Sequence, residues 1–176
     1  MGTREEAGPE AFVADLRPAI RQSAAIARSL EGRVPNEPKD DEETAVKAAL
    51  TVADTAAQEA LLVPLLRRFA DVELEAEEDT ESVRRFSGRR AARIVIDPID
   101  GTLRSYLHAQ GPYAVLAGLA IDDVYRAALV ALPREGVFLH AIEGRGAFQE
   151  DEEGAPVPVR AEADGREILV SYGLPQ

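Results

Sequence analysis

Arg93-Ile-Val-Ile-Asp-Pro-Ile-Asp-Gly-Thr102 is an apolar run that ends in two carboxylates, a proline, a glycine and a hydroxyl. Ile94, Val95 and Ile96 are β-branched and apolar, the composition of a buried strand. Pro98 has no N–H to offer a ladder, which predicts that the strand stops at Asp97. Asp97 and Asp100 then fall on either side of a break, where a turn can aim both carboxylates and the carbonyl of Ile99 into one small volume. Hard oxygens gathered in this way suit Mg2+. Gly101 permits close backbone approach, and if a helix starts here the N–H groups of Gly101 and Thr102 become donors for an anion such as phosphate. Without further context the same residues also make a plain connection, an Asp-Pro turn followed by an Asp-Gly turn.

Upstream, Val72-Glu-Leu-Glu-Ala-Glu-Glu-Asp79 leads a short alternating strand pattern into adjacent carboxylates at Glu77 and Glu78. Alone, such a pair is commonly a solvated loop. Before it, Val52 to Phe69 carries Ala53, Ala56, Ala60, Leu61, Val63, Leu65, Leu66 and Phe69, a helical composition despite Pro64. Asp54 lies in the first turn of that helix, where the dipole favours a carboxylate and a capping role is the simplest reading. From Glu10 to Leu30 the apolar residues Phe12, Val13, Leu16, Ile20, Ala24, Ile26, Ala27 and Leu30 recur at helical spacing, with Gly32 as a stop. Pro18 falls inside that pattern and predicts a kink or a restart. Between the helices, Pro35 to Glu43 is charged and proline-broken, the pattern of a mobile surface connection.

Beyond Thr102 the pattern turns to strands at Tyr113 to Ile121, Val124 to Leu132, Val137 to Ile142, Phe148, Val157 to Arg160 and Glu167 to Tyr172. Short turns such as Asp122-Asp123 join them into an antiparallel meander. Glu150-Asp-Glu-Glu-Gly154 is expected to be an acidic hairpin tip that is only solvated surface. Two helices followed by a run of strands predict one α+β domain over residues 1–176, its helices on one face of a mainly antiparallel sheet.

Composition narrows the chemistry. With 32 acidic against 20 basic residues the formal charge is −12, which repels a polyanion and leaves no basic stripe to follow one, so nucleic acid is not an expected partner. Divalent ions held by the carboxylates would reverse the local sign and let such a chain accept a phosphate. The absence of cysteine excludes a disulfide framework, a thiolate zinc site and a cysteine nucleophile. His108 and His140 are expected to be structural or solvent-facing. Neither a secretory h-region nor a membrane-spanning apolar run is present, so no membrane is expected and a cytoplasmic address follows by default.

Taken together, Leu50-Thr-Val-Ala-Asp54, Glu77-Glu78 and Asp97-Pro-Ile-Asp-Gly-Thr102 resemble the inositol monophosphatase family of Mg2+-dependent, lithium-sensitive phosphatases. That family shares a Thr-x-x-Asp, a Glu-Glu and an Asp-Pro-Ile/Leu-Asp-Gly-Thr element, and here Asp54 precedes Glu77 by 23 positions and Glu77 precedes Asp97 by 20. The resemblance continues through Pro112 to Ala120, Ala128 to Pro133 and Ala141 to Phe148, and runs from about Leu16 to Leu174. It implies hydrolysis of a small phosphorylated metabolite by a water activated on Mg2+, without a covalent intermediate. By the same resemblance, Glu77, Asp97, Asp100 and the Ile99 carbonyl are the metal ligands, and Thr102, paired with Asp54, together with Glu77 activates the water. Ile99, Asp100, Gly101 and Thr102 then surround the substrate phosphate.

Three departures from the family pattern accompany the likeness. Lys39 and Lys47 match poorly the family's lysine-bearing loop near the metal water. The Leu103 to Gly111 stretch is one residue longer than usual and lacks the early aromatic, which leaves substrate fit near Arg104 and Ser105 open. Family members continue into an α/β domain whose Trp-Asp-x-Ala-Ala-Gly-like aspartate completes a second metal site, whereas this sequence ends at Ser171-Tyr-Gly-Leu-Pro-Gln176. A rival reading is therefore a half-site that binds metal or a protein partner without turnover, as a homodimer or with a complementing C-terminal domain. Histidinol phosphate, fructose bisphosphate and 3′-phosphoadenosine nucleotides are the alternative substrates the motifs do not separate from an inositol phosphate.

Overall fold

The computed structural model describes residues 8–36, 51–88, 91–109, 111–151 and 153–160. Most of the 35–43 connection, Lys39, Lys47, the strand expected at Glu167 to Tyr172 and the C-terminal residues lie outside the described residues. Two helices, α1 (Pro9–Leu30) and α2 (Val52–Phe69), precede strands β1 (Glu73–Ala76) and β2 (Ala92–Asp100), with a 3-10 turn at Val83–Arg85 between the strands. Five more strands follow: β3 (Ala114–Ile121), β4 (Val124–Leu132), β5 (Val137–Ile142), β6 (Gly146–Glu150) and β7 (Pro156–Pro158). The seven strands form one sheet in sequence order, β1 running parallel to β2 and every later pair antiparallel. The α+β class and the helices-on-sheet arrangement expected from sequence are what the chain adopts.

Alternation along the strands explains where the core lies. Ile94 and Ile96 of β2, Val115, Ala117 and Leu119 of β3, and Ala127, Leu129 and Ala131 of β4 are buried against Phe12, Leu16 and Ile20 of α1 and Leu61, Leu65 and Phe69 of α2. Phe12 and Phe69 meet edge to face, with centroids 5.9 Å apart, and lock the two helices together. A smaller apolar cluster of Ala27, Ala53, Ala57, Ile99, Tyr106 and Tyr113 lies beneath the end of β2. The Asp122-Asp123 turn has both residues at positive φ, 52° and 60°, the two-residue hairpin geometry that matches strand twist.

Three expectations need correction. α1 runs through Pro18 without a break; Pro18 and Ala14 both face solvent, so water can satisfy the carbonyl that loses its helical donor. β2 does not stop at Asp97 but reaches Asp100, because a bulge absorbs the proline: Asp97 pairs with Leu116 and Asp100 with Ala114, so Pro98 and Ile99 together face Val115. The acidic tip is not merely solvated surface, since Glu150 is buried and receives Arg17 Nε at 2.7 Å and Arg21 Nε at 2.7 Å from α1. Burial would raise the Glu150 carboxyl, but the hydrogen bonds and charges of the two arginines together outweigh it and hold it below the ordinary glutamate range. His140 is also buried, stacked on Phe148 at 5.3 Å, whereas His108 is exposed. No helix among the described residues is long and apolar enough to cross a membrane.

Candidate active site

The parallel pairing of β1 with β2 decides which acids meet. The ladder ends with Ala76 opposite Ile96, so Glu77 and Asp97 are the next residues, one step beyond the last pair of the parallel ladder and side by side without any long-range coincidence. Their carboxyl groups share a hydrogen bond. Burial, then the charge of Glu77, then that of Asp100, push the Asp97 carboxyl up to about 8, against a weaker pull from the Ile99 N–H. Glu77 and Asp100 remain exposed, Asp97 is half-buried, and Asp97 Oδ1 is a buried oxygen that accepts no hydrogen bond.

A dry floor lies under this wet rim. Thr102 and Asp54 are both buried, and Thr102 Oγ1 lies 3.1 Å from Asp54 Oδ1 and 2.8 Å from the Ile99 carbonyl oxygen. Its single proton is shared between these two acceptors. The other Asp54 oxygen accepts from Thr51 N at 2.8 Å and Thr51 Oγ1 at 2.7 Å, while Thr51 Oγ1 accepts from Ala53 N at 3.1 Å. Asp54 is thus both the capping acid that starts α2 and the partner of Thr102. Burial raises its carboxyl above the usual aspartate range, with the Thr51 and Thr102 hydrogen bonds pulling the other way.

Ile99 and Tyr106 pin the segment between them. Both side chains are buried in the small cluster, and Tyr106 OH donates to the Ala27 carbonyl at 2.7 Å. Gly101 adopts φ +95°, and Thr102–Leu107 form a six-residue π-helical turn in which Ser105 N and Tyr106 N both donate to the Gly101 carbonyl. A helical turn thus opens after Gly101, as the sequence allowed, in π-helical form. Arg134, from the β4–β5 turn, donates to the Ser105 carbonyl at 2.7 Å and to Glu31 Oε1 at 2.6 Å, and lies over the Tyr113 ring.

Two residues that sequence reading passed over do much of the positioning. Gln58 Nε2 donates to the Glu78 carbonyl at 2.7 Å, and Glu78 N donates to Gln58 Oε1 at 3.0 Å. Its signal was available: a polar residue four positions after Asp54, on a face otherwise made of Ala57, Leu61, Leu62 and Leu65. Arg134 carried no local signal, because its partners lie 23 to 103 positions away.

The donor set fits a hard divalent ion in part. The carboxyl groups of Glu77, Asp97 and Asp100 and the second lone pair of the Ile99 carbonyl would all be oxygen donors to such an ion, and buried Asp97 Oδ1 has no hydrogen-bond partner. Among the described residues no three His, Cys, Asp or Glu side chains stand close enough together to hold a metal ion between them. An ion that keeps several waters, as Mg2+ does, needs no closed cage of side chains.

The sequence profile of the inositol monophosphatase family matches residues 14–174. The chain belongs to this family. Solved structures share the fold described above over part of their length. The extragenic suppressor protein SuhB of Bartonella henselae superposes with a TM-score of 0.67 at 22% identity, over 80% of this chain and 52% of that one. The inositol monophosphatase of Thermotoga maritima gives 0.66 at 23%, over 84% and 52%. An inositol monophosphatase II of Staphylococcus aureus with inositol monophosphate bound gives 0.56 at 24%, over 81% and 48%. The chain therefore spans about half the length of these structures. No curated protein matches it.

Proposed function

We propose that this inositol monophosphatase family chain hydrolyses a small phosphomonoester in a Mg2+-dependent reaction. The observation that carries the proposal is Asp97: a carboxyl group pushed toward 8 by burial and by Glu77 and Asp100, with a buried oxygen that accepts nothing. Glu77, Asp97, Asp100 and the Ile99 carbonyl would hold the ion. Bound there, Mg2+ would supply Lewis acidity, neutralising phosphate charge and lowering the pKa of a bound water. Thr102 Oγ1 takes a proton from the attacking water as its own hydroxyl proton passes to Asp54 Oδ1, 3.1 Å away. The raised affinity of buried Asp54 for a proton suits it to that acceptance. Exposed Gly101 and the Thr102 N–H at the start of the π-helical turn orient the phosphate oxygens. The phosphorus–oxygen ester bond then breaks as the water oxygen adds, the leaving oxygen takes a proton from solvent to depart as the alcohol, and Asp54 loses its proton to solvent as inorganic phosphate leaves.

A phosphate-release assay with and without Mg2+ tests this, over inositol monophosphate, histidinol phosphate, fructose bisphosphate and 3′-phosphoadenosine nucleotides. Release that requires Mg2+ and disappears in Asp97→Asn supports the reading; release independent of both rejects it. The inositol monophosphate complex of the Staphylococcus aureus relative makes that compound the first substrate to try.

A second reading has its own observation. Among the described residues no three acids stand close enough together to hold an ion, and the similar structures are about twice as long. On that reading the chain binds the ion but turns over only with a complementing domain or a second copy. Mg2+ binding without phosphate release over the whole panel would favour it.

A further inference from the structure

We infer that Gln58 is the residue that positions Glu77 for metal binding, and that α2 thereby aligns both halves of the carboxylate site. The inference rests on the reading of Glu77 and Asp97 as ligands. β1 is a four-residue edge strand whose ladder to β2 ends at Ala76, so sheet pairing does not reach Glu77 or Glu78. Gln58, wholly buried on α2, takes over that task with two hydrogen bonds to the backbone of Glu78, one to each side of its Cα. The Glu78 N–H belongs to the peptide unit that begins at Glu77, so clamping it fixes ψ of Glu77 and hence the direction in which the Glu77 side chain leaves the backbone.

The same helix face carries Asp54 one turn earlier, and Asp54 grips Thr102 at the far end of the β2 bulge. One rigid element therefore addresses the ends of both parallel strands: Asp54 sets Thr102 and, through it, the Ile99 carbonyl, while Gln58 sets Glu77. The adjacent Glu59 extends the grip, accepting from Thr80 Oγ1 and from Ser82 Oγ at 2.5 Å. The amide suits position 58 because one partner is an acceptor and the other a donor, and it needs no proton bound to serve both. Residues that orient a ligand without touching the ion typically change metal affinity by about 10- to 100-fold when replaced.

Calorimetric titration of the 176-residue chain with Mg2+ alone tests this, using Asp97→Asn to identify the heat that belongs to the site. Gln58→Met keeps side-chain volume and removes both hydrogen bonds; Gln58→Asn keeps the amide but is too short to make both, and serves if Gln58→Met does not fold. Ser23→Ala is the stability control, because it removes a buried hydroxyl that donates to the Ala57 carbonyl at 2.9 Å, away from the acids. The expected result is Mg2+ affinity about tenfold weaker in both Gln58 variants, unchanged in Ser23→Ala, with faster hydrogen exchange at the Glu78 amide. Unchanged affinity in a folded Gln58 variant, with melting lowered as in Ser23→Ala, overturns the inference and makes Gln58 a core prop. Lack of Asp97-dependent binding in the wild-type chain overturns the metal reading first, and the inference with it.

Discussion

Glu77 and Asp97 stand one register step beyond the last paired residues of two parallel strands, and their carboxyl groups share a hydrogen bond. Two acidic groups are thus held together by the sheet itself, with a proton retained between them that a bound cation would displace.

That cost has a sign and a pH window. The Asp97 carboxyl is raised from an ordinary 3.8 to about 8 in the fold, so above 3.8 the unfolded chain releases a proton that the folded chain keeps. Metal-free stability is expected to fall as pH rises from about 4 toward 8, and Asp97→Asn should flatten this trend. Thermal melts across that range, with chelator present, check it. Saturating Mg2+, at about 100 times its dissociation constant, should restore about 2.7 kcal/mol to the wild type and nothing to the variant.

Removing the Thr102 hydroxyl separates chemistry from packing. Thr102→Val keeps shape but leaves Asp54 Oδ1 and the Ile99 carbonyl without this donor, and should lower turnover about 10²- to 10⁴-fold and stability by about 1–3 kcal/mol. Thr102→Ser should retain most of both. Steady-state phosphate release and urea melts on the three proteins decide the matter; equal turnover in Thr102→Val would remove Thr102 from the proton path.

Glu150 is expected to matter for stability and not for turnover. Glu150→Gln leaves Arg17 and Arg21 without a carboxylate, and because both guanidinium groups are about a third exposed the loss should be about 2 kcal/mol at pH 7, short of that for a fully buried pair. The folded carboxyl lies below its ordinary 4.5, so its stabilisation is present above that value and disappears as pH falls through the folded one. His140, lowered from 6.5 first by burial and then by Arg17, adds a separate decline that begins as pH drops below 6.5. In an Asp97→Asn background, which removes the opposing trend, melting curves from pH 7 to pH 3 should show both steps, and only the His140 step when Glu150→Gln is added.

Arg134 should be irreplaceable by lysine. It donates to the Ser105 carbonyl and to Glu31 through a planar fork, which an ammonium cannot reproduce. Arg134→Lys is expected to loosen the turn after Thr102, seen as faster protease nicking between residues 105 and 111 and a stability loss of about 1–2 kcal/mol. A nicking rate equal to that of the wild type would count against the staple.

How much of this was legible in the sequence depends on the range of the interactions. Strand and helix positions follow from periodicity of 2 and 3.6, and β4 and β5 fall where Val124 to Leu132 and Val137 to Ile142 alternate. Asp97, Asp100 and Thr102 stand out because their motif is local, whereas Asp54 and Glu77 read alone as a cap and a solvated pair and stand out only through the ordered motifs of the family they resemble. The continuation of β2 past Pro98 was hidden, since a bulge depends on the partner strand's register and not on the proline alone. Glu150 and Arg134 were misread or missed for a related reason: a charge on a hairpin looks solvated until a distant helix is placed beside it. Gln58 lay within reach, as a polar residue on a buried helix face announces a partner before the partner is known.

The tether between Glu150 and the first helix also bears on how the chain assembles. Arg17 and Arg21 are separated from Glu150 by 133 and 129 positions, and the apolar face of α1 rests on β3, β4 and β5. On a ribosome α1 can meet α2 through Phe12 and Phe69 early, but the surface that β3, β4 and β5 offer Leu16 and Ile20 is synthesised much later. High contact order of this kind slows folding and prolongs the interval in which a chaperone, or a neighbouring nascent chain, competes for the orphan helix.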